Sequence, residues 1–311
     1  MSSFYKVVFF ILALSAWNTM LGCDICGCAA GGNVISNLPS QDVNFVGVKY
    51  NQLSYIDPIE DFSNNAGEAI KNDRSHRSNL WFRHKLGSRW QLYAIFPYQV
   101  HERFYVDGGV DQINGLGDIS TVFNYKMIAS KDSTKGKWRH NLIAGIGVKL
   151  PTGKYRNRNR QRTLFPQNFQ IGTGAFTFSP DIIYTLNSND WGFNADLFYN
   201  YNTTNESLYK VGNQLSSGFY VYYWYRGDGY SLMPRLGGYF EWFDKDKEYD
   251  YTLKYSGGSL LYGTMGLDWY VGKFRVSGSY LVPTYYKFSS QTIPSTRFSV
   301  GVIYIFEHED H

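Results

Sequence analysis

The sequence predicts an all-β chain: a transmembrane antiparallel β-barrel of about 12 strands with short periplasmic turns and longer extracellular loops. Three observations predict it. Roughly twelve segments of about ten residues or more alternate apolar and polar side chains, the connections between them alternate in length, and the apolar parity of several segments carries Trp or Tyr at its ends. Strand side chains point alternately to opposite faces, so each such segment presents one apolar and one polar surface.

The alternating segments lie near residues 42–55, 78–87, 89–101, 115–128, 138–150, 171–187, 190–203, 211–225, 230–243, 256–270, 273–286 and 294–306. Gly-Ser at 87–88, Ser-Asn-Asp at 188–190, Gly-Asp-Gly at 227–229 and Gly-Lys at 272–273 are turn-forming combinations suited to hairpins, and 130–137 is the longest of this short set. Longer connections fall at 56–77, 102–114, 151–170, 204–210, 244–255 and 287–293. Every second link is long, which is the asymmetry of bacterial outer-membrane barrels, and an even strand number leaves both barrel ends on the periplasmic side.

Energy decides which face is wet. In WGFNADLFYNYN (191–202), Trp191, Phe193, Ala195, Leu197, Tyr199 and Tyr201 oppose Gly192, Asn194, Asp196, Asn200 and Asn202, and only Phe198 breaks the pattern. Trp90 with Tyr98, and Trp191 with Tyr201, mark the ends of apolar stripes, as aromatic girdles do at membrane interfaces. A Lys or Arg facing lipid at the midplane costs roughly 2–4 kcal/mol. The polar parity is therefore expected to face a lumen, which places Lys49, Arg83, Lys85, Asp118, Lys126, Lys149, Asp181, Asp196, Arg235, Glu241, Asp268, Arg275 and Arg297 along a solute path. About eight strands leave an interior that side chains fill and sixteen leave an aqueous channel, so twelve strands with inward Trp81, Tyr93 and Tyr239 predict a narrow lumen. Opposed lumen charges would orient a solute, or brace the barrel as internal ion pairs, or both.

Residues 1–22 read as a signal peptide, with Lys6 before an apolar core from Val7 to Trp17, followed by a Cys-containing periplasmic segment (23–41), the barrel (42–306) and an acidic, His-containing tail (307–311). Beyond the leader no apolar run approaches the ~20 residues of a membrane helix. All three cysteines cluster as Cys23, Cys26 and Cys28. Three readings stand for them: lipidation of Cys23, capture of a soft metal such as copper, or a disulfide.

A net charge of +4 without a basic helix or RNP-like aromatic motif does not point to nucleic acid. One dense basic run, Lys154, Arg156, Arg158, Arg160 and Arg162, falls in a predicted extracellular loop, where it would attract lipopolysaccharide phosphates or an anionic solute. The acidic first loop, with Asp57, Glu60, Asp61, Glu68 and Asp73, is expected to pair with it over the entrance. His84 and His140, near Ser88 and Ser78, form no nucleophile motif with an orienting acid, so no enzymatic role is expected. His308 and His311 would bind a divalent metal or belong to a solvated tail. No cofactor is expected. Residues 297–306, RFSVGVIYIF, end on an aromatic and are similar to the C-terminal signal read by the barrel-assembly machinery, although Glu-His-Glu-Asp-His follows Phe306.

In order along the chain, IFPYQV (95–100), GLGDISTVFNYKM (115–127), GIGVKLPTGKY (145–155), QIGTGAFTFSPDIIYTL (170–186), SGG (256–258), VPTYY (282–286) and VGVIYIF (300–306) resemble the transporter-like outer-membrane family of the MetA pathway of phenol degradation. The resemblance implies a porin-like barrel associated with uptake of small, often aromatic compounds, and it leaves the cysteine cluster outside the matched region. The expectation is a bacterial outer-membrane channel, in contact with lipid and lipopolysaccharide, for passive passage of small aromatic or anionic solutes. The competing expectation is a barrel-anchored protein that binds soft metal at Cys23, Cys26 and Cys28.

Overall fold

The computed structural model describes residues 43–56, 70–130, 138–159, 162–289 and 293–306. Outside them lie residues 1–22, read above as a leader, Cys23, Cys26 and Cys28, Asp57, Glu60, Asp61 and Glu68, Arg160, and residues 307–311 with His308 and His311. The described residues form twelve barrel strands: β1 (Asn44–Ile56), β2 (Ile70–Leu86), β3 (Trp90–Tyr105), β4 (Ser120–Ala129), β5 (Arg139–Lys149), β6 (Thr177–Ser188), β7 (Trp191–Asn202), β8 (Gln214–Tyr223), β9 (Tyr230–Phe243), β10 (Gly258–Val271), β11 (Phe274–Phe288) and β12 (Arg297–Phe306). Each pairs antiparallel with its neighbours in sequence, and β12 returns to β1 with Asn44 opposite Phe306 and Gln52 opposite Phe298. The sheet closes on itself. Closure satisfies the backbone of every barrel strand within the sheet, the condition for crossing hydrocarbon with strands.

The two faces separate as the alternation predicts. On β7 the exposed residues are Trp191, Leu197, Tyr199 and Tyr201, whereas Gly192, Asn194, Asp196, Phe198 and Asn202 are buried. Phe298, Val300, Val302, Tyr304 and Phe306 of β12 are likewise exposed, and Arg297, Ser299, Gly301 and Ile303 are buried. From Trp191 to Tyr201 is ~33 Å along the strand, which a tilt of about 40° reduces to ~25 Å, the height of the apolar band of such barrels. Aromatic pairs brace its periplasmic edge: Trp90 stacks on Phe123 at 4.7 Å, Trp191 meets Tyr223 at 5.0 Å, and Phe274 meets Tyr304 at 5.3 Å between ring centres.

Four boundaries differ from the sequence-based expectation. β2 starts at Ile70 inside the stretch read as a loop (56–77), and β3 runs to Tyr105, where Val110–Leu116 pairs back onto it across the stretch read as the loop 102–114. Above the hydrocarbon the outward face no longer needs to be apolar, so Arg74, His76 and Glu102 stand there and the alternation that marks a strand is lost. β6 begins at Thr177, not near 171, because residues 171–176 belong to a loop that folds into the barrel. Val110–Leu116 and β4 both pair with β3 and are separated by a break at Gly117–Ile119.

Candidate solute pathway

The inner face carries buried polar groups from every side of the barrel. Of the lumen candidates, Lys49, Arg83, Asp118, Lys126, Asp181, Asp196, Arg235, Glu241, Asp268, Arg275 and Arg297 are buried, and Lys85 and Lys149 are partly buried. The structure adds residues that sequence reasoning left out: Asp73, Arg77 and Asn79 of β2, Gln91, Gln99, His101 and Arg103 of β3, and Asn124 of β4. Their signal was available in parity, since Asp73, Arg77 and Asn79 share the phase of Trp81 and Arg83.

These groups are not spread evenly. On the wall formed by β9 to β12, charges meet as compensated pairs. Asp268 binds Arg275 at 3.0 Å through one oxygen and lies 3.7 Å from Arg235 through the other; Arg235 also donates to Ser279 Oγ at 2.5 Å. Arg297 reaches Glu241 at 2.8 Å and packs its guanidinium 4.5 Å over Tyr262, while Tyr239 donates to Glu241 at 3.1 Å. The register sets Lys49, Gly301, Ser277 and Asp268 side by side, so two small residues leave room between the Lys and the Asp.

An apolar layer also lines the inner face, among the buried polar groups of β1 to β7 and reaching Ile303 of β12. Phe45, Trp81, Tyr93, Ile95, Val122, Ile143, Ile183, Phe198 and Ile303 form one buried cluster, with Phe45 edge-on to Trp81 at 4.5 Å. Arg83 closes this layer toward the periplasm: its guanidinium lies 5.1 Å over Phe45 and donates to the Val43 carbonyl at 2.7 Å. Phe198, the residue that breaks the alternation of β7, belongs to this cluster.

A loop narrows the extracellular mouth. Between β5 and β6 the chain forms a small hairpin, bridged at Arg158 and Leu164, and then turns inward. The Gln170 side chain staples it, accepting from Asn157 N at 2.8 Å and donating to the carbonyls of Phe165 at 2.9 Å and Asn157 at 3.1 Å. The returning arm lies on the inner face of β3: Gln99 donates to the Ile171 carbonyl at 3.1 Å, a His101 nitrogen is 3.0 Å from the Phe169 carbonyl, and Arg103 stacks 4.5 Å over the Phe169 ring. The base of the loop is clasped by Asp118 at the break before β4, whose carboxylate accepts from Gly153 N and Thr173 N at 2.9 Å each and from Thr173 Oγ1 at 2.7 Å. Lys149 Nζ stands 4.0 Å from the same carboxylate. Gly153 and Gly172 cross backbone to backbone there, and a Cβ on either would strike the backbone of the other.

The expected pairing of the acidic first loop with the basic run is corrected where it can be seen. Asp73 lies within β2 and makes a buried, two-pronged pair with Arg103 at 2.6 and 2.8 Å, because extension of β2 carries it onto the inner face. Arg156 instead reaches Glu206 of the β7–β8 loop at 3.5 Å. The Tyr155 hydroxyl donates to the same carboxylate at 2.9 Å, a bond that holds the phenol above its ordinary pKa. Lys154, Arg156, Arg158 and Arg162 are exposed, which leaves a basic surface beside the mouth. His140 lies 2.7 Å from the Tyr184 hydroxyl on the outer face.

Residues 72–277 match the family described as MetA-pathway of phenol degradation. The chain belongs to this family. Among solved structures, the COG4313 outer membrane channel from Pseudomonas putida F1 superposes with a TM-score of 0.64 at 14% identity over 87% of this chain and 97% of that one. Looser likenesses are the beta domain of the Bordetella autotransporter BrkA (TM-score 0.46, 13% identity, 85% of this chain and 100% of that one) and the KdgM porin (TM-score 0.37, 11% identity, 84% and 99%). No curated protein matches the sequence. This member of the MetA-pathway family is an outer-membrane β-barrel, and the family match runs from β2 into β11, across the inturned loop.

Proposed function

We propose that the chain is a channel for passive passage of small solutes that combine an anionic group with an apolar, often aromatic, body. The observation that supports this reading is an inner face of mixed chemistry: the ion pairs of Asp268 with Arg235 and Arg275 and of Glu241 with Arg297 on β9–β12, and an apolar layer built on Phe45, Trp81 and Phe198. A solute crossing hydrocarbon loses its water; here guanidinium groups replace that water while aliphatic and aromatic side chains receive the body. The exposed Lys154, Arg156, Arg158 and Arg162 beside the mouth raise the local concentration of anions. The interior is close-fitting, since Asp268, Glu241 and Gln214 are 0% exposed, so passage is slow and restricted to small molecules.

Liposomes containing the refolded protein test this. They are expected to swell faster in small aromatic carboxylates than in neutral sugars of equal mass, and combining Lys154→Glu, Arg156→Glu and Arg158→Glu should lower anion entry several-fold at low salt. That difference should vanish near 1 M salt, where the screening length falls to about 3 Å. A correctly folded barrel that passes no small solute would sink the proposal. The competing reading, soft-metal capture at Cys23, Cys26 and Cys28, rests on residues outside the described structure, and no group of three or more His, Cys, Asp or Glu among the described residues is placed to hold a metal.

A further inference from the structure

One cluster of the inner face belongs neither to the ionic wall nor to the loop clasp. The register sets Asn124 of β4, Gly145 of β5 and Asp181 of β6 in one row, all on the inner face. Asn124 and Asp181 lean toward each other over the glycine. A Cβ at Gly145 would lie 2.7 Å from Asp181 Oδ1 and 2.7 Å from Asn124 Cγ, with the Asn124 amide oxygen closer still. The space that a side chain would fill is thus occupied by converging oxygens. Glycine within a strand weakens it, and such a position often marks a bulge, a bend, or close approach by a ligand or another backbone.

Neither group is satisfied. Asp181 is 3% exposed and Asn124 0% exposed, and both carboxylate oxygens of Asp181 and both polar atoms of the Asn124 amide lack a hydrogen-bond partner among the described residues. Lys149 is turned to Asp118, Arg235, Arg275 and Arg297 are turned to Asp268 and Glu241, and Lys126, buried two residues along β4 from Asn124, has an interaction of its own. Asp196, a diagonal neighbour across the β6–β7 ladder, adds negative charge. Val122, Ile143, Ile183 and Phe198 of the apolar cluster border the row beside Lys126, Ser179 and Asp196, and a buried carboxylate without a partner there is expensive.

We propose that Asn124 and Asp181 form, in the trough left by Gly145, a binding site for a hard divalent cation. A carboxylate and an amide carbonyl are hard oxygen donors, and a set of three side-chain oxygens without octahedral order suits Ca2+, completed by water, better than Mg2+. The site is independent of permeation: it requires only the folded barrel.

Calorimetric titration of Ca2+ into the full chain, refolded in non-ionic detergent without lipopolysaccharide and treated with chelator, tests it. One site with a dissociation constant on the order of 10⁻⁴–10⁻³ M is expected, as for weak oxygen-ligand sites. Asp181→Asn keeps the shape and removes the charge, and should weaken binding by at least about tenfold, the lower bound seen even for groups that only support a metal ligand. Gly145→Ala fills the trough and should do the same; Asp190→Asn, in an exposed turn, should change nothing. Retained heat-modifiable mobility on gels reports that each variant is folded. An Asn124 amide turned to donate its Nδ2 to Asp181 would satisfy both groups without a cation. Absence of Ca2+ binding by the wild type, or equal binding by folded Asp181→Asn, is the signature of that arrangement and overturns the proposal.

Discussion

Two parts of the inner face solve the same problem with opposite chemistry. The apolar layer on Phe45, Trp81, Tyr93 and Phe198 packs as the core of a soluble protein does, by edge-to-face rings and aliphatic contact. The β9–β12 wall buries full charges and holds them only because each has a partner: Asp268 between Arg235 and Arg275, Glu241 against Arg297. An interior of twelve strands is too wide for aliphatic side chains to fill from every side and too narrow to be left wholly to water. Combining apolar packing with buried ion pairs fills the space.

Breaking that combination should cost most at the charges. Asp268→Ala leaves two buried guanidinium groups without their shared carboxylate, and urea unfolding in detergent should show a loss of about 3–5 kcal/mol. On the apolar side Phe198→Ala opens a cavity and removes one edge of the layer. Its stability loss is expected at about 3 kcal/mol, together with a larger single-channel conductance in planar bilayers. A loss of stability with unchanged conductance would show that the apolar layer only packs and does not restrict the path. A smaller effect sharpens the comparison from above: Asp118→Ala releases three hydrogen bonds from the base of the inturned loop, for about 1–3 kcal/mol of local stability. Hydrogen exchange should then rise across residues 150–176 while β9–β12 keeps its protection.

Much of the architecture was legible because its signal is local. Strand number, the alternation of short and long connections, and the orientation of apolar residues toward lipid follow from period-2 patterning, turn chemistry and the cost of charge in hydrocarbon. The limits were equally physical. β2 and β3 project beyond the membrane, where Arg74, His76 and Glu102 face water and no alternation remains to be read. Asp73 was consequently read as a loop acid, although it pairs with Arg103 inside the barrel. Within β7 the single irregularity, Phe198, was visible in the sequence, but its meaning depended on the cluster it joins with Ile143, Ile183 and Phe45 of other strands.

By itself, then, the sequence determined which face of each strand meets lipid and which meets the interior, because alternation along one strand and its own transfer energy settle that question. Only the tertiary structure decided what the inner side chains do with one another. Closure and stagger bring together residues far apart in the chain, as with Gln99 and Ile171, 72 positions apart, and no local pattern records which arginine will face which carboxylate. The inturned loop, the pairing of the lumen charges and the convergence of Asn124 and Asp181 over Gly145 are all of that kind: properties of register and curvature, which exist only once the barrel has closed.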